Sequence, residues 1–259
     1  MSRKPPGQPK SCDLLAPIEA WFELQGWKPL PFQRQCWQAY LAGESGLIQV
    51  PTGSGKTYAA VMGPIAELLA NPSPGLRLLY LTPLRALSRD LALAIQQPIE
   101  AMGWPLRVGI RNGDTSSYER GKQLRSPPEI LITTPESLSL LLANPKAPAL
   151  FAGLQAVVLD EWHELMGSKR GSQTELCLSW LRSQQPSLRT WAISATIGNL
   201  DEAARSALGA GTEPRLITAA IARATEIRSL LPESIDGFPW AGHLGLRRYE
   251  AVSYTHLRA

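Results

Sequence analysis

Gly46-Leu47-Ile48-Gln49-Val50-Pro51-Thr52-Gly53-Ser54-Gly55-Lys56-Thr57 is the stretch on which the reading of the whole chain turns. A short apolar run, Gly46–Val50, stops at a glycine-rich turn, and a helical pattern follows over Lys56–Ala70. Glycines let such a turn curl until its N–H groups converge on one point, and the helix N-terminus behind it adds partial positive charge. A phosphate fills that point. In this reading Thr52, Gly53, Ser54 and Gly55 supply the cradle and Lys56 reaches the β- and γ-phosphates. Thr57 offers its hydroxyl to Mg²⁺. Val50 stands where the strict pattern has glycine, while Thr52 to Thr57 keep it intact. The plainer alternative is a Gly/Ser turn that happens to precede a lysine; a strand before it and a helix after it favour the phosphate loop.

Outward from that loop, apolar strands recur at Leu76–Thr82, Leu106–Ile110, Glu129–Thr133, Gln155–Leu159 and Leu188–Ser194. Helical patterns separate them near Leu84–Met102, Pro135–Ala143 and Gly171–Ser183, and two more precede the loop, from Leu14 to Gly26 and over Gln33–Leu41. Near-continuous Leu/Val/Ile strands alternating with helices predict an α/β fold with a mostly parallel sheet covered on both faces. In such folds ligands gather at the carboxyl ends of the strands. With 44% hydrophobic and 19% charged residues the chain carries enough apolar side chains for a real core, which excludes disorder throughout. Its apolar stretches fall far short of the ~20 residues of a membrane-spanning helix, and the basic N-terminus has no apolar segment of a secretory signal. Three widely spaced cysteines, Cys12, Cys36 and Cys177, fit neither a disulfide framework nor a metal site, and His243 and His256 have no ligand partners at metal spacing. The net charge of +4 is only a weak pointer to a polyanionic partner.

Two further strand ends carry chemistry. After Gln155–Leu159 comes Asp160-Glu161-Trp162-His163. The apolar strand carries Asp160 to the sheet edge beside the phosphate loop, where it can hold Mg²⁺, and leaves Glu161 to polarise an attacking water. A lone Asp-Glu pair is more often a solvated surface pair; the strand and the phosphate loop shift the balance. After Leu188–Ser194 comes Ser194-Ala195-Thr196, which alone would be read as a helix cap.

Together these motifs resemble the first motor lobe of superfamily 2 helicases of the DEAD/DEAH-box type, over about residues 21–248. Within that superfamily the chain is similar to the large helicase-related group and to the bacterial ligase-associated DEXH-box DNA helicases. The resemblance rests on Pro31-Phe32-Gln33-Arg34, Pro83-Leu84-Arg85-Ala86-Leu87, Gly113-Asp114-Thr115-Ser116 and Thr133-Thr134-Pro135-Glu136-Ser137. It rests equally on Asp160 to Leu165 followed by Gly167-Ser168-Lys169-Arg170-Gly171, on Ser194-Ala195-Thr196 with Gly198-Asn199, and on Phe238-Pro239-Trp240-Ala241-Gly242-His243. It implies a RecA-like P-loop NTPase with ATP and Mg²⁺ as cofactors, and Lys56, Asp160, Glu161 and His163 as the catalytic set. It implies that Gln33 reads the adenine edge and that His163 couples the metal site to Ser194 and Thr196. It also implies a DNA-repair setting in the bacterial cytoplasm, beside a DNA ligase and a nuclease. Trp27 is a candidate aromatic platform for the base, with core packing the equal alternative.

A motor that must ignore sequence grips its strand by phosphates. Donor-rich loops suited to single-stranded DNA, with RNA left open, follow three strands: Arg85; Gly113, Asp114 and Thr115; and Thr134, Pro135, Glu136 and Ser137. The last is also an ordinary capped helix start with Pro at its first position, and the favoured reading gives it both roles. Lys169 and Arg170 read as either a DNA contact or a solvated basic pair. Trp21, Trp37 and Trp180, with Cys177 beside Trp180, read as core. The expected organisation is a disordered tail over 1–13, a RecA-like ATP-binding domain over 14–220, a linker over 221–237, and a stub of a second lobe over 238–259. Only 63 residues follow Thr196, too few for a second lobe, and the final nine match nothing. A P-loop kinase or transport ATPase is the first rival reading, and a nucleotide-gated nucleic-acid binding module without unwinding the second.

Overall fold

The computed structural model describes residues 14–195, 197–209, 211 and 213–220. The expected tail, linker and stub, and Thr196, lie outside the described residues. Helices α1 (Ala16–Leu24) and α2 (Pro31–Leu41) precede β1 (Gly46–Gln49) and α3 (Lys56–Ala70). Next come β2 (Leu78–Leu81), a 3₁₀ turn at Arg85–Leu87, α4 (Ser88–Met102), β3 (Val108–Arg111), α5 (Ser117–Arg125) and β4 (Ile130–Thr133). They are followed by α6 (Pro135–Leu142), α7 (Ala147–Phe151), β5 (Ala156–Leu159), α8 (Trp162–Leu165), α9 (Lys169–Gln184), β6 (Arg189–Ser194), α10 (Leu200–Leu208) and β7 (Arg215–Thr218).

All pairings are parallel, and the sheet runs β3-β4-β2-β5-β6-β1-β7. The interior strands are buried on both faces, so their residues sort by parity rather than by polarity. Ile48, Tyr80, Ile132 and Val158 face one core, shared with Trp21, Trp37, Met62 and Ile95 from α1 to α4. Leu47, Leu79, Leu131 and Val157 face the other, shared with Leu138, Phe151, Trp162, Leu178 and Ala203 from α6 to α10. The RecA-like architecture expected from the sequence is therefore present, with helices on both faces. Trp21 and Trp37 are fully buried and Cys177 is buried, while Trp180 is only partly covered.

Five elements escape the sequence pattern, the single turn α8 among them. α5 buries only Gln123 and leaves Tyr118 exposed, so it has no apolar stripe. α7 is five residues long, α10 packs through alanines, and β7 is a four-residue edge strand with one buried side chain, Ile217.

The end of the sheet remote from the strand tips is closed by a charge cluster. Glu67, near the end of α3, accepts from the Tyr40 hydroxyl and from Arg189, each at 2.6 Å, and the guanidinium lies 4.1 Å over the Tyr40 ring. Arg189 and Glu67 are largely shielded from water, so removing one partner strands the other charge. We expect Glu67→Ala to cost about 3 kcal/mol in urea unfolding, with Glu67→Gln costing roughly half because its amide oxygen still accepts where both bonds end, on Oε2, but no longer neutralises Arg189. Equal stability of Glu67→Ala and the parent would show the cluster to be fully hydrated.

Candidate nucleotide and nucleic-acid site

Because every strand is parallel, the loops that follow them share one edge. Read across the sheet, the strand tips are Asn112–Thr115 (β3), Thr134–Ser137 (β4), Pro83–Arg85 (β2), Asp160–His163 (β5), Ser194 (β6) and the phosphate loop (β1). The nucleotide candidates occupy one half and the nucleic-acid candidates the other, with β5 between them.

In the phosphate loop Gly53 and Gly55 have φ of 68° and 80°, backbone that favours glycine. A Cβ on Gly55 would also stand 2.6 Å from Gln33 Nε2. Ser54 Oγ donates to Pro51 O at 2.6 Å and stiffens the turn. Gln33 is buried at the start of α2: its Oε1 accepts from Leu30 N at 2.9 Å and its Nε2 donates to Gly55 O at 3.2 Å. The carboxamide thus braces the loop from behind, with one N–H and one lone pair left over. Trp27 is half exposed and packs edge-on against Trp21, with Tyr58 of α3 6.4 Å away.

Lys56 Nζ donates to Glu161 Oε1 at 3.2 Å, joining the phosphate loop to the carboxylate motif across 105 residues. Glu161 has φ 43° and ψ 48°, a left-handed conformation that no other described non-glycine residue adopts. Held there by the packing of the fully buried Trp162, it stores strain of about 1–3 kcal/mol, the kind found at functional sites. His163 Nδ1 lies 3.0 Å from Ser194 Oγ and 3.5 Å from Glu161 Oε2, so the β5 and β6 tips are linked. Asp160 is buried, and its Oδ1 accepts from Glu161 N at 3.1 Å. Burial and then the charge of Glu161 push its carboxyl up to about 6, against the pull of Lys56.

Tyr80 is a component that sequence reading misses. It is fully buried in β2, and its hydroxyl faces Asp160 and Thr57 without closing a hydrogen bond of normal geometry to either. Inside an apolar strand a tyrosine reads as core, and only the neighbouring β5 tip gives it a polar partner. The Tyr80 hydroxyl and Glu161 Oε2 are both buried without a hydrogen-bond partner, around a carboxylate that resists ionisation. Such a pocket fits a hard cation. Mg²⁺ is typically held by one or two protein oxygens, the rest being phosphate and water, and Thr57 and Asp160 are the residues that could supply them.

On the other half, Arg85 pairs with Asp114 at 3.2 Å, both largely exposed. Thr115 Oγ1 donates to Ile110 O and accepts from Asn112 N, and Arg120 donates to the carbonyls of Asn112 and Gly113, so this loop is internally braced. An open groove of about 740 Å³ runs here, with Arg85, Arg89 and Gln96 on one wall and Asn112, Thr115 and Ser116 on the other. Thr134 caps α6 by accepting from Ser137 N at 3.4 Å and donates to Ser137 Oγ at 3.3 Å. Both hydroxyls are buried, so in this state they hold the turn rather than face a ligand. Glu136 is bound by Arg170, so this half-exposed guanidinium is paired rather than a free basic side chain.

A family model described as DEAD/DEAH box helicase matches residues 30–203. The chain is 36% identical over 235 residues to the ATP-dependent helicase Lhr-Core protein 2 of Thermococcus barophilus, covering 83% of this chain and 27% of that protein. It is 34% identical to the Lhr helicase/uracil glycosylase of Escherichia coli, covering 82% of this chain and 15% of that protein. Its fold is similar to that of Mycobacterium smegmatis helicase Lhr bound to ssDNA and AMP-PNP, with a TM-score of 0.73 at 33% identity over 80% of this chain and 28% of the other. The chain thus spans less than a third of each of these relatives.

The Asp160 carboxyl keeps its proton to about pH 6 in the fold, whereas a solvated aspartate ionises near ~4. Stability from this group therefore declines as pH rises between those values, and above about 6 the fold bears the full cost, about 3 kcal/mol. We expect Asp160→Asn to raise stability at pH 7 by about 1–3 kcal/mol in urea unfolding, the gain vanishing below about pH 4. No gain at pH 7 would show that the carboxylate is already compensated.

Proposed function

Since the chain belongs to the DEAD/DEAH box helicase family, we propose that it is the ATP-binding motor lobe of an ATP-dependent DNA helicase or translocase. In this reading it holds Mg·ATP on the β1 and β5 tips and single-stranded DNA on the β2, β3 and β4 tips. The observation that carries the reading is the Lys56–Glu161 pair, which brings the phosphate cation and the candidate base to one spot at 3.2 Å. Three features of the relatives support it: their names, their nucleotide- and strand-bound states, and the similarity of this chain across its described core.

The division of labour follows from the geometry. Without phosphate, Lys56 neutralises Glu161. A γ-phosphate competes for the ammonium, and a charge-assisted bond to it is worth roughly 1.5–3 kcal/mol. Glu161 then turns its freed oxygens to a water in line with the phosphate, as a general base must within hydrogen-bond reach. Mg²⁺ held by Thr57 and Asp160 would supply charge neutralisation on the phosphates. Gln33 braces the loop, and its remaining N–H and lone pair are available to an adenine edge. His163 reports the state of Glu161 to Ser194, and Thr196 is assigned to the same coupling by resemblance. A repair setting beside a ligase and a nuclease enters the same proposal on resemblance alone.

Lys56→Ala should weaken Mg·ATP binding by about tenfold or more, since it removes the cation on the phosphates. Glu161→Gln should leave binding within about twofold, or tighten it by releasing Lys56, while slowing hydrolysis by about 100-fold or more. Isothermal titration and phosphate-release assays read the two effects. Equal loss of affinity in both variants would overturn the assignment.

A further inference from the structure

Arg170 is the second residue of α9, and its backbone is pinned to the carboxylate motif. Ser168 caps α9 by accepting from Gly171 N at 3.1 Å, and its hydroxyl donates to Leu165 O, the last residue of α8, at 2.6 Å. A Cβ on Gly171 would stand 2.0 Å from Leu165 O, so only glycine lets α9 start this close to α8. The Arg170 carbonyl accepts from Thr174 Oγ1 at 2.7 Å. From this fixed base the side chain reaches across the β2 tip to the β4 tip. Nε donates to Glu136 Oε1 at 2.5 Å, and Nη2 donates to Pro83 O at 2.8 Å and, more weakly, to Glu136 Oε2 at 3.4 Å.

Three loops that adjoin in the sheet, after β5, β2 and β4, are therefore tied by one guanidinium. Arg170 and Glu136 are each about half exposed, so the ion pair itself adds little to global stability. Its value lies in position. Glu136 stands in the first turn of α6, where the helix N-terminus would otherwise attract a phosphate, and an unpaired carboxylate there would repel one. Nε and Nη2 are committed to protein acceptors, which leaves only Nη1 for a strand phosphate and denies it the bidentate fork.

We propose that Arg170 is a positioning residue: it straps the β2 and β4 loops to the end of the carboxylate motif. It thereby fixes the spacing of the two phosphate-gripping loops and cancels the charge of Glu136. The proposal rests on the reading of those loops as the single-strand contact.

The test compares the parent with Arg170→Ala, Arg170→Lys and the Arg170→Ala/Glu136→Ala double variant. Amide exchange over Leu84–Leu87 and Glu136–Leu138 is measured without DNA, and binding of a fluorescent oligo-dT across a salt series is measured separately. For Arg170→Ala we expect faster exchange in both segments, about five- to tenfold weaker oligo-dT binding and an unchanged salt slope. Arg170→Lys should fall between, because an ammonium cannot fork to two acceptors, and the double variant should recover part of the affinity. Unchanged exchange in both segments would overturn the strap. So would a salt slope lowered by about 0.7, which is the loss of one direct phosphate contact on a single strand. A parent that fails to bind oligo-dT would instead overturn the functional reading, and the exchange result would still decide the strap.

Discussion

The parallel alignment of all seven strands is the constraint on which the rest of the structure depends. It gathers every strand-to-helix loop at one edge, and the order β3-β4-β2-β5-β6-β1-β7 decides which loops become neighbours. Sequence order alone would place Asp160 beside Thr134, since β5 follows β4. In the sheet β2 lies between them, and β6 separates Asp160 from the phosphate loop strand. Ser194, at the tip of β6, therefore stands where His163 can reach it at 3.0 Å. The carboxylate motif lies between the candidate nucleotide half and the candidate nucleic-acid half because its strand is the middle one.

The electrostatics of that middle strand tip run against stability. Two carboxylates, Asp160 and Glu161, are drawn together at a buried edge, with one close cation, Lys56, facing them. The left-handed backbone at Glu161 adds strain to the same spot. A sequence selected for folding alone would use an apolar pair or an asparagine here. Charged, strained and incompletely paired groups persist only where the surroundings over-determine them, which is what the buried Trp162 and the tight α8–α9 junction do. Glu161 Oε2 and the Tyr80 hydroxyl add to the same pattern: both are buried beside Asp160 without a hydrogen-bond partner.

What the sequence disclosed follows from where each element sits. Five interior strands were readable because a strand buried on both faces must be a continuous apolar run, and the edge strand β3 was readable from Leu106, Val108 and Ile110, whereas the other edge strand, Arg215–Thr218, buries only Ile217 and leaves no such signature. The phosphate loop and Asp160-Glu161-Trp162-His163 were readable because their chemistry is local in sequence. Partnerships across the sheet were not. The cap in Thr134-Pro135-Glu136-Ser137 was readable because it too is local, but nothing in Lys169-Arg170 says that the guanidinium reaches Pro83, 87 residues earlier. Tyr80 hid within Leu78–Leu81 because burial, the property that made the strand legible, masks the one polar atom that matters.

These facts bear on how the two halves can act on one another. Between Asp160 and Gly171 the chain has a strained residue, a single helical turn and, at Gly171, a junction with no room for a methyl group. Close-packed elements of this kind move as bodies rather than deform. If phosphate takes Lys56 from Glu161, the released carboxylate changes the load on the one backbone conformation that only packing sustains. Relaxation there cannot be absorbed within α8, which is one turn long and held at Leu165 by Ser168 and Gly171. It is passed to the start of α9 and so to the guanidinium that joins the β2 and β4 loops. A nucleotide-dependent change of grip would then need no long-range pathway through the core: it would need only the eleven residues, Asp160 to Arg170, that follow the central strand.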